Sequence, residues 1–388
     1  MNDTSSSSMN VIRFRWRQTA FFISAIVALF LYNEWLVYYF VLLQCQWPTL
    51  NVETNDFTVN YDDGTVNSPL RVMVLADTHL LGIREGHWFD KLRREWQMER
   101  SFQAAMSLHD PEVVFVLGDL FDEGKWCSDS EFQHHVSRFH RMFHTPSTTQ
   151  LYAVVGNHDI GFHYMVSDHQ RQRFTNAFSS PSVRLIRVKG NMFVLVNSMA
   201  FEGDGCNMCL DADARLQQIS KSLRCAQGTS RHCNELTEKF RYTKPIIVQH
   251  FPMYRVSDSV CTGPDAAATQ VRDVPLKPRW DCLSKEASDE LIARLEPRLI
   301  LDAHTHNFCQ TQYNGTPEWT IASFSWRNRN NPSFILVAVT NSNFAITKCF
   351  LPQESTVIYT YIVGVILIVL WFLFPRKLLT YSRSAKCS

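Results

Sequence analysis

Charge of one sign is what the 388-residue chain lacks. Its 38 lysines and arginines nearly match 37 aspartates and glutamates, the formal net charge is +1, and charged residues make up only 19%. Such a balance gives no basic excess, which excludes nucleic acid as the main partner. No internal repeat is visible, so a solenoid or propeller array is excluded as well. Cys206 and Cys209 form a C-x-x-C pair, but no second C-x-x-C exists to complete a four-cysteine zinc set. Zinc, redox chemistry and ordinary disulfides all remain open for the pair, and structural disulfides are the expectation.

What is abundant is apolar sequence, at 45%, and two runs account for part of it. Phe21–Leu43 has the roughly 20 residues that a bilayer core requires, although Asn33 and Glu34 interrupt it. It is too long for a typical signal-peptide core and lacks a clear small-x-small exit, so an anchor is expected. Val357–Phe374 carries no charge and reads as a second span. Arg13, Arg15 and Arg17 precede the first run, and Arg376, Lys377, Arg383 and Lys386 follow the second. The positive-inside rule then makes both tails cytosolic and the intervening segment lumenal or extracellular. The expected organisation is a tail (1–20), a span (21–43), a polar stalk (44–68), a lumenal domain (69–352), a span (357–374) and a tail (375–388). Of 11 cysteines, Cys387 falls on the second tail. The ten from Cys45 to Cys349 are an even number suited to an oxidising compartment. Asn314-Gly315-Thr316 is the one lumenal glycosylation sequon, followed directly by Pro317.

Between the spans, short aliphatic runs alternate with amphipathic stretches. Strands are predicted at 71–77, 112–119, 151–159, 193–198, 245–249, 298–302, 319–323 and 334–339. Helices are predicted at 96–109, 130–143, 211–224 and 286–295. The alternation implies an α/β fold built around parallel pairing. Ligands gather at the carboxyl ends of strands in such sheets. Five predicted strands end in polar sets: Asp77-Thr78-His79, Gly118-Asp119 with Asp122, Gly156-Asn157-His158-Asp159, His250, and Asp302-Ala303-His304-Thr305-His306.

Each set alone is ordinary; their order, each after an aliphatic run, points to a shared metal site. Oxygen and imidazole donors without thiolate suit manganese, iron or zinc. The donors are too many for one ion. Asp77, His79 and His306 can hold one, Asn157, His250 and His304 a second, and Asp119 can bridge. His304 and His306 are two apart in an extended segment and so leave on one side. Two such ions form a clamp for displacement at phosphorus. His158 is then free to act as the catalytic acid. Asp122, Asp159 and Asp302 are read as supports for imidazoles or turn amides. Trp88, Trp96, Trp126 and Trp326 are candidates to stack on sugars, and Arg327 and Arg329 to hold phosphate.

These blocks resemble the calcineurin-like metallophosphoesterases, whose pattern is D-x-H, G-D-x-x-D, G-N-H-D/E, a lone His and G-H-x-H. The resemblance covers roughly residues 71–306 and departs only at Ala303, where Gly is usual. It implies a β-sandwich flanked by helices, here with a transmembrane helix at each end. The stretches LADTHLLG, PEVVFVLGDLFDEGKW, GNHDIGFHY and ASFSWRNRNNPSF look closer still to the membrane phosphoesterases that remodel glycosylphosphatidylinositol (GPI) anchors. That likeness implies a manganese-dependent phosphodiesterase that removes the side-branch ethanolamine phosphate from the second mannose of the GPI glycan after attachment to protein. It also implies GPI-anchored proteins as substrates, cargo receptors of the early secretory pathway as partners, and residence between endoplasmic reticulum and Golgi.

Overall fold

The computed structural model describes residues 3–50, 68–229, 233 and 241–373. They form two units, residues 41–351 and a second in which the residues up to Phe40 join those from Pro352 onward.

In the larger unit, eleven strands build two sheets. The strands are β1 (Leu70–Leu75), β2 (Val113–Val116), β3 (Gln150–Ala153), β4 (Val183–Val188), β5 (Asn191–Val196), β6 (Ile246–Gln249), β7 (Leu299–Asp302), β8 (Cys309–Tyr313), β9 (Thr316–Thr320), β10 (Ser333–Val339) and β11 (Phe344–Phe350). One sheet has the order β11-β10-β1-β2-β3, the other β4-β5-β6-β7-β9-β8. In the first, β1, β2 and β3 are parallel, and β10 and β11 add antiparallel strands beside β1. In the second, β5, β6, β7 and β9 are parallel, and β4 and β8 close the edges in antiparallel fashion. The expected parallel pairing is therefore the centre of each sheet, not the whole of it.

The sheets face each other across one core. Val72, Val74 and Phe115 from the first meet Phe193, Val248 and Leu301 from the second, and the rings of Phe115 and Phe193 are 5.0 Å apart. Each fully buried aliphatic or aromatic side chain contributes about 1.5–3 kcal/mol by its removal from water. The inner strands have the unbroken aliphatic runs that burial on both faces demands; β2 and β6 are buried at every position. The strands that the sequence hides, β4, β8 and β11, are edge strands, half-exposed and partly polar. Helices Trp88–His109, Asp129–Met142, Asn207–Ala226 and Lys285–Leu295 include the four predicted ones, and Asp168–Phe178 is additional. Asp129–Met142 starts on a capping box of Ser128 and Glu131 and buries Phe132, Val136 and Phe139.

Three disulfides form among the described residues: Cys45–Cys349, Cys225–Cys233 and Cys261–Cys309. Cys127, Cys206, Cys209 and Cys282 are thiols, so pairing of all ten is not observed. Cys45–Cys349 ties the start of the expected stalk to β11, and the Trp47 indole N–H donates to the His109 carbonyl at 3.0 Å. Residues 44–50 are thus part of the larger unit. The rest of the expected stalk, 51–67, lies outside the described residues, as do Arg376, Lys377, Arg383, Lys386 and Cys387. Asn314 and Gly315 both have positive φ, at 47° and 81°, and make the two-residue turn between β8 and β9.

In the smaller unit, two helices are long and apolar enough to cross a membrane: Trp16–Leu42, with mean hydropathy 1.8, and Glu354–Leu373, with 2.4. They pack together, with Phe21 and Trp371 rings 4.1 Å apart. Gly364 permits the approach, since a Cβ there would lie 2.5 Å from Leu29. The interrupting pair is accommodated. Asn33 donates to the Leu29 carbonyl at 3.0 Å within a π-turn over Tyr32–Leu36, and the Tyr361 hydroxyl donates to Glu34 at 2.5 Å. A carboxylate inside an apolar stretch needs such a partner.

Candidate metal centre

All seven predicted ligands and His158 meet where the parallel strands of both sheets end. Asp77 and His79 follow β1, Asp119 follows β2, Asn157 follows β3, His250 follows β6, and His304 and His306 follow β7. Asp77, His79, Asp119 and His306 form one group whose donor atoms lie within 4.8 Å of one another; Asp119, His250 and His304 form another. Asp119 belongs to both. Its Oδ2 is 3.5 Å from His79 Nε2 and 3.3 Å from His250 Nε2. Asn157 Oδ1 is 3.2 Å from His250 Nε2.

The backbone is bent to bring these groups together. Asp77, His79, Asp119, His304 and His306 all have positive φ, between 43° and 72°, a region that non-glycine residues avoid. Ala303 is not among the positive-φ residues; the left-handed turn falls one residue later, on His304, so the family's Gly is not needed at 303. Two glycines do matter. A Cβ on Gly118 would lie 2.6 Å from His250 Nδ1, and one on Gly156 would lie 2.2 Å from Asp119 Oδ1.

Carbonyl partners fix which imidazole nitrogen faces the centre, because a carbonyl oxygen only accepts. His250 donates through Nδ1 to the Leu117 carbonyl at 2.6 Å, so Nε2 turns inward. His304 donates through Nε2 to the Trp280 carbonyl at 2.6 Å, so Nδ1 turns inward, 3.2 Å from His250 Nε2. His79 Nδ1 is held by Asp122 at 3.0 Å, and its Nε2 lies 3.0 Å from His306 Nε2. Both Asp77 carboxylate oxygens and Asp119 Oδ2 are buried with no hydrogen-bond partner. Facing imidazole nitrogens and orphaned carboxylate oxygens require a positive charge between them. The residues fit divalent cations on that ground.

Electrostatics give the same picture from the protein's side. Burial, with the negative charge of Asp119, lifts the Asp77 carboxyl to about 7. Burial would also raise Asp119, but His250, His158 and His79 outweigh it and hold it well below the carboxylate range. Burial opposes charge on His250, yet Asp119 and Asp77 carry it up to about 9. Burial, reinforced by His250, pushes His304 down to about 3.

The three supporting acids differ. Asp122 orients His79 and also takes a 3.2 Å hydrogen bond from Arg327. Asp159 accepts from the backbone N–H groups of Gly156 and Phe121, a turn role. Asp302 touches no imidazole; it is buried beside Glu318, Arg255 and Thr320. His158 donates its backbone N–H to Asp119 Oδ1 at 2.8 Å and its Nδ1 proton to the Asp122 carbonyl at 3.0 Å, so Nε2 is the ring nitrogen not used in that bond. Arg329 donates to the His306 carbonyl at 3.2 Å.

Beside the centre lies a cleft of about 470 Å³ lined in part by Asn157, His158, Phe162, Trp280 and His304. Trp280 is 45% exposed, with Phe162 4.6 Å and Tyr164 5.6 Å from it, centroid to centroid. This aromatic group was not among the sequence candidates, since Trp280 stands in a loop with no periodic pattern. Of the four tryptophans proposed for sugars, Trp326 is buried, Trp96 lies under Arg100 and Trp126 under Lys125, while Trp88 is exposed near Phe89.

Carboxylates and imidazoles gathered at the strand ends of a two-sheet sandwich define a metal-dependent hydrolase of phosphate esters, and the chain belongs to the calcineurin-like phosphoesterase family, whose model matches residues 70–308. Within that family it is similar to Metallophosphoesterase 1 of Mus musculus, at 48% identity over 340 residues, covering 87% of this chain and 84% of the mouse protein. Metallophosphoesterase 1 of Gallus gallus is 48% identical over 364 residues, covering 92% and 89%, and that of Danio rerio 44% over 363 residues, covering 93% and 92%.

Proposed function

We propose that the chain is a dinuclear metal-dependent phosphodiesterase that removes the side-branch ethanolamine phosphate from the second mannose of protein-attached GPI anchors, with its site in the lumen of the early secretory pathway. The position of Asp119 Oδ2 between His79 and His250 carries the dinuclear reading, because one carboxylate oxygen is then shared by two donor groups. On this reading Asp77, His79 and His306 hold one cation, Asn157, His250 and His304 the other, and Asp119 both. Manganese suits the oxygen-and-imidazole set, with iron and zinc as alternatives. A bound cation pair supplies neutralisation of phosphate oxygens and a water ionised near neutral pH.

The chain's own residues do the rest. Asp122 keeps the His79 ring turned toward the centre, and the His158 backbone N–H fixes Asp119. His158, with its Nδ1 proton tied to a carbonyl, must be the imidazolium, protonated at Nε2 as well, to hand a proton from Nε2 to the leaving alkoxide. Trp280, Phe162 and Tyr164 offer an apolar face beside the centre on which a sugar ring can stack. Spans at both ends would keep the domain at the bilayer that also holds a lipid-anchored glycan, raising its effective concentration. GPI-anchored proteins are the substrates, and cargo receptors of the early secretory pathway are the expected partners of the trimmed product.

The test has two arms. Purified full-length protein loaded with manganese should hydrolyse an artificial phosphodiester, and His250→Ala should lose that activity while remaining folded; an undiminished rate would falsify the dinuclear assignment. GPI glycans from cells lacking the protein should retain the ethanolamine phosphate on the second mannose. Unchanged glycans with intact diesterase activity would move the substrate to another phosphoester.

A further inference from the structure

Four side chains that the phosphoesterase centre does not use converge at a second point of the same unit. His163, Asp204, Cys206 and Cys209 offer donor atoms that all lie within 4.8 Å of one another. His163 Nε2 is 2.7 Å from Asp204 Oδ2, Cys209 Sγ is 3.3 Å from Asp204 Oδ1, and the two sulfurs are 2.7 Å apart. We propose that this cluster is a second metal site, mononuclear and thiolate-rich, that takes zinc.

Several features point to a ligand and not to a chance cluster. The His163 ring donates through Nδ1 to the Met199 carbonyl at 2.9 Å, which fixes the ring and turns Nε2 toward Asp204 and the sulfurs. A backbone carbonyl behind the imidazole is the usual support of a metal-bound histidine. Cys206 caps the helix Asn207–Ala226, and its sulfur accepts the Cys209 backbone N–H at 3.0 Å. That N–H holds the Cys206 sulfur at the first turn of the 20-residue helix. Asp204 is held in place by the Cys206 backbone N–H at 3.1 Å. Gly203 and Gly205, with φ of 75° and 73°, let the chain turn on either side of Asp204. Two thiolates, one imidazole and one carboxylate make the closed four-donor set of a structural zinc site. Their softness sets them apart from the oxygen-and-nitrogen centre, so the two sites would sort different metals.

The site has a position as well as a chemistry. His163 directly follows Phe162, which packs on Trp280 beside His304. A cation held by His163 and by the start of the helix Asn207–Ala226 would fasten the loop after Gly161 to that helix, and with it one wall of the catalytic cleft. The missing half of a zinc set, sought in the sequence as a second C-x-x-C, is supplied by a histidine about 40 residues upstream and an aspartate two before the first cysteine.

The experiment is metal and thiol analysis of the purified full-length protein, without reductant and independently of activity. Elemental analysis should find one zinc per chain that survives mild chelation and remains when the other centre is loaded with manganese. Cys209→Ser and His163→Gln should each lose that zinc while still binding manganese. Cobalt in its place should show sulfur-to-metal charge transfer in wild type and not in Cys209→Ser. A Cys206–Cys209 disulfide in peptide maps of the unreduced protein, or zinc content unchanged in both variants, overturns the proposal. His163→Gln keeps both thiols, so it stays informative if the cysteine variant does not fold.

Discussion

The two sheets contribute unlike halves of the catalytic centre. The five-stranded sheet provides Asp77, His79, Asp119 and Asn157, three of them oxygen donors; the six-stranded sheet provides only imidazoles, His250, His304 and His306. The oxygen side holds the buried carboxylate oxygens that lack partners, whereas His250 and His304 on the imidazole side are already anchored by carbonyls. One of those anchors crosses between sheets, since His250 reaches the Leu117 carbonyl beyond β2. The centre is therefore a seam, with one side carboxylate-rich and unfinished and the other imidazole-rich and pre-oriented. Bound cations would complete the first side more than the second.

The largest effect should come from the oxygen side. Asp119→Asn removes a charge shared by both donor groups and should lower kcat by about 10³-fold, equal to about 4 kcal/mol in the barrier. It should also abolish stoichiometric manganese binding, leaving less than one ion per chain, read by elemental analysis. His306→Ala, on the imidazole side, should leave one ion bound. Equal losses of metal from both variants would erase the contrast between the sheets.

Gly156→Ala tests the same seam without changing any donor. The added Cβ would lie 2.2 Å from Asp119 Oδ1, so the carboxylate or the turn must move. Activity should drop by about 100-fold, since displacement of a reacting geometry by about 1 Å has that cost. Asp122→Asn should follow, with a loss of 10–100-fold, the usual range for a group that orients a metal-bound imidazole. Far-ultraviolet circular dichroism should show both variants folded.

The sheets also differ in how far the sequence reveals them. On the five-stranded side every donor sits in a short motif after an aliphatic run: Asp77 with His79, Asp119 with Asp122, Asn157 with His158. On the six-stranded side His250 has no motif, and only the buried run of β6 marks it as a strand-end residue. Edge strands β4, β8 and β11 escape notice because half-exposed strands carry neither a continuous apolar run nor clean alternation. Asn314-Gly315 reads as a sequon but is also the hairpin turn between β8 and β9. Trp280 and the His163–Asp204–Cys206–Cys209 cluster are assembled by tertiary contacts from distant segments, which spacing cannot show. Tautomers and the left-handed backbone at five donor residues are likewise products of the fold.

The smallest effect is expected next to the imidazoles. Asp302 is the acid of the D-x-H-x-H stretch, yet it lies in a buried group with Glu318 and Arg255. Burial raises both carboxyls above their ordinary range, with each other's charge adding to the rise for Asp302. A raised folded-state value means that the unfolded chain sheds the proton first. Wild-type stability therefore falls as pH climbs above the ordinary carboxylate range toward the raised value. Asp302→Asn is nearly isosteric and cannot ionise, so it should escape that fall. Its melting temperature relative to wild type should rise between pH 5 and pH 8 at fixed metal, and its metal content should not change. Activity within about 2-fold of wild type would fit a residue outside the centre, given the 10–100-fold cost expected for one that orients a ligand. Loss of a cation in Asp302→Asn would instead place this acid behind His304, and the imidazole side would no longer be independent of carboxylate support.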